Sequence, residues 1–493
     1  MHLFDNIRRK VNYRFVTRML GFLCLLEIPF LLVSLLVGLF YDSHTTWAFL
    51  TAIIIMASVG GALLVIGRDA KHYKSGRKEA MLTVSLAWIT LSLIGMTPYI
   101  ISGYIPNPAD AFFETMSGFT TTGATILDNV EALPKSLLLW RSITQWQGGI
   151  GIVVFALALL PIFGGSGSLV YNYEASGVLH EKFMPRAGIM AKKVTNIYLM
   201  LTLACCLLFW LGPMDLFDSI CHALTCVCSG GFSTRTSSLA YYNSSYTDIV
   251  AMIFMFLAAT NFALIYFAMT GKPKKLLQDT EFRWFFTIVI IAGLSASIWI
   301  YVKGLIDAPL DALRHGFFQV ISLISTTGYY TQDYDNWLSF FALLALCIMF
   351  VAGCTGSTSG GLKTGRFLIL VKNLLNEIRK RTHPNAILPV KADNIVIPTR
   401  FVSQVSIFFF AYAMLILLCI LFLTIEGIKL DSAVPVAVSC VSNSGPALVS
   451  FGPTESYAAL GSVSKIVMSL MMMIGRLEIF TVLAVFHGGF WRD

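Results

Sequence analysis

Four triplets of oxygen-rich residues stand at matching places in this chain: Thr121-Thr122-Gly123, Ser229-Gly230-Gly231, Thr326-Thr327-Gly328 and Asn443-Ser444-Gly445. Each offers backbone carbonyls, most with a hydroxyl or amide beside them, and ends on a glycine able to take backbone angles that other residues resist. The chemistry available to such a set is coordination: ringed carbonyls replace the hydration shell of a monovalent cation, with no covalent step. Other chemistry is poorly supplied. Gly353 to Gly365, reading GCTGSTSGGLKTG, nearly spells a phosphate-binding loop, but Leu362 intrudes before Lys363-Thr364 and no strand–helix nucleotide fold surrounds it. The histidines, among them His180, His222, His315 and His383, are scattered, and the ten cysteines show neither a disulfide framework nor zinc spacing around Cys226-Val227-Cys228. They read as small hydrophobes. Nothing marks an enzyme, a resident metal or an organic cofactor.

Each triplet closes a short apolar run that an acid opens. Asp110 starts DAFFETMSGFTTTGATIL, Asp218 starts DSICHALTCVCSGGFST, Asp311 starts DALRHGFFQVISLISTTGYYT and Asp431 starts DSAVPVAVSCVSNSGPA. These predict short helices with the acids as N-caps, far below the roughly 20 residues needed to span a bilayer. A segment that enters a membrane and turns back must bury its irregular backbone in protein or line water with it. Successive triplet glycines are 108, 97 and 117 residues apart, the long period of one repeated supersecondary unit. A single small-residue cluster would read as helix packing; four read as one pore on a pseudo-fourfold axis. Helix C-termini, partly negative, would then point to the membrane centre.

The elements that hold these runs are membrane spans. Of 493 residues 56% are hydrophobic and 13% charged, the composition of a polytopic membrane protein. Ten spans are expected, near 19–41, 47–66, 80–102, 137–163, 194–211, 249–269, 284–302, 337–352, 401–425 and 463–486: two leading helices, then four units of helix, short helix, helix. The first span follows basic residues but is too long for a signal peptide and lacks a cleavage site. Basic loops (Arg68–Lys78, Lys182–Lys193, Lys272–Arg283, Lys372–Arg400) share the N-terminal side, which is therefore cytoplasmic. The opposite face carries most of the acids, including Glu114, Asp128, Glu131, Asp333, Asp335 and Glu455, and would concentrate cations at the mouth. The net charge of +8 is thus a topology signal and not a nucleic-acid one. A secondary transporter would call for inverted repeats, whereas these units share one orientation.

Below the triplets, Gly353–Gly365 reads as an irregular segment inside the eighth span, tolerated because it borders water. Its Gly353, Thr355, Gly356, Gly360, Gly361 and Lys363, together with Arg476 of the last span, are the candidate gate. At about 1.5 Å per residue, Thr355 and Arg476 lie roughly 27 and 22 Å from the outer helix ends, near one level in a core of about 30 Å. Arg476 either pairs with the loop's carbonyls or snorkels to the inner interface; Lys363 adds to the barrier or sits at that interface. Glu27, outside the units, is expected to serve helix packing or an interfacial role and not conduction.

The segments TTTGA, SGGFST, STTGYYT and SNSGP, with GCTGSTSGGLKTGR and IGRLEIF, resemble the Trk/Ktr/HKT superfamily of potassium transporters along the whole chain. The two leading helices and the ending FWRD are similar to its bacterial TrkH/TrkG branch. The resemblance implies an all-α polytopic membrane protein. Two N-terminal helices (residues 1–78) would precede pore units at 79–165, 190–275, 283–382 and 400–493, the third carrying an intramembrane gating loop. It implies that the twelve triplet residues form a potassium filter, with Asn443 and Gly230 departing most from a uniform one. It further implies potassium uptake or symport, a homodimer in the bacterial inner membrane with cytoplasmic termini, and a cytosolic ring of nucleotide-binding regulatory subunits.

Overall fold

The computed structural model describes residues 11–68, 76–159, 187–393 and 395–491. Arg8, Arg9 and Lys10, most of the Arg68–Lys78 loop, residues 160–186 including His180 and Lys182, and the terminal Arg492-Asp493 lie outside the described residues. The described residues are mostly helical, joined by turns and irregular loops, with two pairs of two-residue strands among them.

Tyr13–Tyr41 and Thr46–Ile66 form the leading helix pair. They cross where glycines face each other: a Cβ on Gly21 would lie 2.8 Å from the Gly60 carbonyl. Small residues at a crossing let two apolar helices approach closely when lipid gives no hydrophobic drive. The outward faces of the spans are apolar, with Ile291, Leu343 and Phe410 about two-thirds exposed, the pattern of side chains meant for lipid.

Six helices are long and apolar enough to cross a membrane, or eight if each of two bent pairs counts as one span, among the described residues. Of the ten expected spans, of which only the eighth was expected to be interrupted, two more are bent. Ser245–Ala258 and Phe262–Met269 meet at 107°, and Ser462–Arg476 and Phe480–Phe486 at 117°. Asn261 causes the first bend by N-capping a new helix through Ala263 N at 2.8 Å. The eighth expected span is a helix of only 13 residues, Leu338–Phe350, and the helix Lys135–Leu159 is diluted by Arg141, Gln145 and Gln147.

The four short helices are Pro108–Phe119, Leu216–Val227, Pro309–Ile324 and Leu430–Ser442. Their acids are not the N-caps. Asn107, Asp215, Ala308 and Lys429 occupy those positions, and Asp110, Asp218, Asp311 and Asp431 sit in the first turn. There they still face the positive end of the helix dipole. Three of them also bind cations: Asp110 pairs with Lys465 at 2.7 Å, Asp218 with Arg235 at 2.8 Å and Asp311 with Arg314 at 3.1 Å.

Candidate ion-conduction site

All four triplets adopt one backbone course. The first residue of each is left-handed: Thr121 (φ 52), Ser229 (56), Thr326 (57) and Asn443 (56). Two residues on, Gly123, Gly231, Gly328 and Gly445 have φ of 77 to 88. The middle N–H reaches back five residues to the helix: Thr122 to Ser117 O, Gly230 to Thr225 O, Thr327 to Ser322 O and Ser444 to Ser439 O, at 2.9 to 3.1 Å. This is the six-to-one bond of a Schellman ending. The left-handed residue is usually glycine, yet here it is threonine, serine or asparagine. It caps the C-terminus of each short helix and throws the following carbonyls clear of it.

The triplets also touch in cyclic order. A Cβ on Gly123 would lie 2.2 Å from Gly230 O, on Gly231 1.7 Å from Thr327 O, on Gly328 2.7 Å from Ser444 O, and on Gly445 2.6 Å from Thr122 O. Each terminal glycine thus leans on the middle carbonyl of the next triplet, and the fourth returns to the first. Only a hydrogen fits. The twelve residues singled out by sequence therefore form one closed ring.

Behind the ring the support is unequal. Hydroxyl pairs brace three middle residues: Thr120–Thr122 (2.7 Å), Ser325–Thr327 (2.8 Å) and Ser442–Ser444 (3.0 Å). The second triplet has Cys228 and Gly230 in those places and is braced by Gln145 instead. Asn443 spans to the first triplet, donating through Nδ2 to Thr122 Oγ1 and Met472 O, both at 2.9 Å. Seven residues before each triplet stand Glu114, His222, Gln319 and Val436. Glu114, assigned by sequence to the outer face, is instead fully buried and paired with buried Arg141 at 2.8 Å. It also accepts from Ile126 N at 3.0 Å, and Arg141 donates onward to Ser233 O at 3.1 Å. His222 bonds Ser233 Oγ at 2.9 Å. Sequence reading missed the roles of Glu114, Arg141 and Gln145; the available signal was that Arg141 and Gln145 lie four apart, on one face of an apolar helix.

Directly inside the ring lies the Gly353–Gly365 loop. Its ends form a parallel strand pair, Val351 opposite Leu362 and Ala352 opposite Lys363. Gly360 N donates to Thr326 Oγ1 at 2.8 Å, and Thr358 Oγ1 lies 2.6 Å from Ser229 Oγ. A Cβ on Gly360 would be 2.3 Å from Ser442 O. The loop also satisfies the backbone freed where the Ser245–Ala258 helix breaks. Cys354 N donates to Ala259 O at 2.8 Å, Thr358 N to Ala258 O at 3.2 Å, and Phe262 N to Gly356 O at 3.2 Å. Irregular backbone at membrane depth needs such partners. Gly356 (φ 77) and Gly361 (φ 57) make the turns.

Arg476 is 4% exposed, so the interfacial reading does not hold. It donates through Nη1 to Thr358 O at 2.7 Å and through Nη2 to Gly148 O at 3.2 Å. Lys363 turns inward, its Nζ donating to Ser359 O. Glu281, which sequence reading passed over, holds both ends of the loop on one oxygen: Thr355 N at 2.5 Å and Gly365 N at 2.9 Å. Thr355 joins the loop to that carboxylate and Gly353 O accepts from Thr364 N at 3.0 Å. Just below, Arg366 pairs with Glu478 at 2.6 Å, tying the helix Thr364–Thr382 to the break after Arg476. Glu27 bonds Gln147 at 2.7 Å, beside Gly148 and away from the ring.

Comparison with known proteins supplies the context. The sequence matches the TrkH family, described as cation transport protein, over residues 46–492. It is 36% identical over 491 residues to the Trk system potassium uptake protein TrkH of Escherichia coli (strain K12), covering 98% of this chain and 100% of that one. It is 34% identical over 490 residues to the Trk system potassium uptake protein TrkG of the same strain, covering 98% and 99%. The crystal structure of the potassium transporter TrkH from Vibrio parahaemolyticus matches with a TM-score of 0.88 at 33% identity, covering 98% of this chain and 100% of that one.

Proposed function

The chain belongs to the TrkH family of cation transport proteins, transporters and not enzymes, and from that premise we propose that it takes up potassium through a filter made by the four triplets. The observation that carries this reading is the closed cycle in which each glycine packs on the next triplet's middle carbonyl. Such a cycle holds backbone oxygens around one axis, and ringed oxygens select among monovalent cations by their number and field. The relatives' names, which specify potassium uptake, favour potassium as the cargo.

In this reading the units at 79–165, 190–275, 283–382 and 400–493 surround a pseudo-fourfold pore, and residues 1–78 flank it. The Gly353–Gly365 loop, with Lys363 and Arg476, closes the passage on the inner side. Its contacts with Ser229, Thr326 and Ser442 support that reading. The protein works as a homodimer in the bacterial inner membrane, termini in the cytoplasm. A cytosolic ring of nucleotide-binding regulatory subunits pulls on the Thr364–Thr382 helix, whose last turn carries Arg379, Lys380 and Arg381, and so withdraws the loop.

The test is current recording from the protein reconstituted in lipid vesicles under ion substitution. A reversal potential following the potassium gradient is the expected result. One that shifts with the proton or sodium gradient assigns symport. No cation current, with or without the regulatory subunit, overturns the proposal.

A further inference from the structure

Resting on the filter reading, we propose that Gln145 is a selectivity-determining positioning residue: its side-chain amide takes the place of the hydroxyl pair that the second triplet lacks, and fixes the Gly230 carbonyl.

The four middle carbonyls occupy equivalent places, each against a neighbour's terminal glycine. They do not have equivalent partners. Gln145 Nε2 donates to Gly230 O at 2.7 Å, while Gln145 Oε1 accepts from Phe232 N at 3.0 Å. Among the described residues none of the carbonyls of Thr122, Thr327 and Ser444 accepts a hydrogen bond. Gln145 itself is fully buried, so its two bonds do not exchange readily with water. One turn back on the same face, Arg141 donates to Ser233 O. The helix of the first unit thus clasps the segment that runs through and out of the second triplet at three points: Gly230, Phe232 and Ser233.

The substitution is reciprocal. A Cβ on Gly230 would lie 2.4 Å from Gln145 Oε1 and 2.9 Å from Cys228 Sγ. A side chain at position 230 would therefore displace the Gln145 amide from the place it holds. The other three triplets use the hydroxyl, and this one uses the amide. The chemical effect differs, because an amide donor at 2.7 Å both holds a carbonyl in place and draws on its electron density. A cation in the ring then meets three free carbonyls and one fixed, weaker ligand. Ligand number and field strength are what separate potassium from sodium, so this quadrant sets the contrast the ring can reach.

Potassium and sodium fluxes into vesicles give the decisive ratio for three variants. Gln145→Met keeps the volume and loses both bonds. It should lower the K+/Na+ preference about fivefold, the factor of one lost hydrogen bond. Gln145→Glu keeps the acceptor for Phe232 N and loses the donor to Gly230 O, so it should lower the ratio as well and serves if the methionine variant does not assemble. The triple variant Q145A/C228S/G230S installs the hydroxyl pair of the other quadrants and should return the ratio toward the parent's. A residue that merely supports folding would reduce both fluxes in parallel, and that result overturns the assignment. Gly445→Ser provides the control on the filter itself. If it lowers the ratio and the Gln145 variants do not, the filter stands and Gln145 has no part in selection. If none of them changes the ratio, both ideas fall.

Discussion

The ring and the loop beneath it touch at Ser229, Thr326 and Ser442, yet they are built on opposite principles. The ring reaches one geometry four times from four different triplets, and every glycine is locked by a neighbour's carbonyl. The loop is made once. Glu281, Lys363 and Arg476 fasten it, together with the backbone at Ala258, Ala259 and Phe262, through separate bonds that no other unit repeats among the described residues. Recurrence produces a scaffold in which no quarter moves without the rest. A single insertion, fastened at a few points, is an element that can have two arrangements, which is what a switch requires. In the proposed mechanism selection belongs to the first and gating to the second.

The largest effects should come from the ring. Serine at any of the four glycines forces a side chain into a left-handed backbone, at about 1–2 kcal/mol, and into a carbonyl as well. The clash distances rank the outcome: Gly231→Ser worst at 1.7 Å, then Gly123→Ser at 2.2 Å, with Gly445→Ser and Gly328→Ser milder at 2.6 and 2.7 Å. Potassium uptake and K+/Na+ preference should fall in that order at equal expression. Unchanged selectivity in all four would remove the filter from these residues and dissolve the comparison.

Next come the fastenings of the loop, where the sign reverses. Arg476→Ala removes two buried donors and a positive charge from beneath the ring, so potassium flux should rise and depend less on the regulatory subunit. Shortening the Gly353–Gly365 loop should do the same. Glu281→Ala leaves the amides of Thr355 and Gly365 without their acceptor, at about 1–3 kcal/mol for each buried group. Its expected sign is the same and its size smaller, because Arg476 still holds Thr358. Glu281→Gln keeps an acceptor oxygen and should be milder again. Hydrogen exchange at Thr355 and Gly365 reads the fastening directly. If both loop variants reach the membrane and still conduct only with the partner, the gate lies elsewhere.

The ring was legible in the sequence because it recurs: four acids, four short apolar runs and four glycines mark it without any partner being known. The loop was legible as a glycine-rich interruption of an apolar run, and its match in depth with Arg476 followed from helix rise alone. What supports them was not. Gln145 and Gly230 lie 85 residues apart, and Glu281 meets Thr355 and Gly365 across 74 and 84. A polar residue in an apolar run announces that it needs a partner and does not say which. Helix starts were misplaced for a local reason. Pro108 and Pro309 occupy the first helical position, where a missing N–H costs nothing, and they mark starts two residues before the acids that were read as caps. The break at Asn261 was also written in the chain, as Thr260-Asn261 within an apolar stretch, and was overrun by hydropathy.

The smallest effect should separate charge from bonding at the outer mouth. The acids there were expected to act through their summed field, which salt screens beyond about 8–10 Å. Several of them also accept hydrogen bonds, and two of these tie separate loops together. Asp128 accepts from Ser456 Oγ, and Glu131 accepts from Thr236 N at 3.0 Å and from the Thr236 hydroxyl. Thr236 in turn accepts from Tyr330 at its carbonyl (2.9 Å), so Glu131 fastens the loops that follow three triplets. Burial pushes the Glu131 carboxyl up, but the Thr236 bonds and Arg235 outweigh it and hold the group below its ordinary value. A carboxylate with a lowered folded pKa stabilises the fold above its unfolded pKa and loses that contribution as pH falls through the folded one. Glu131→Gln should therefore reduce uptake modestly at both low and high salt and lower the melting temperature at pH 7. That difference should close below the ordinary carboxylate range. Glu455→Gln, at an exposed position, should reduce uptake at low salt only. If Glu131→Gln behaves like Glu455→Gln, losing its effect in high salt and leaving the melting temperature unchanged, then the mouth works by field alone and the rigidity of the ring owes nothing to the loops above it.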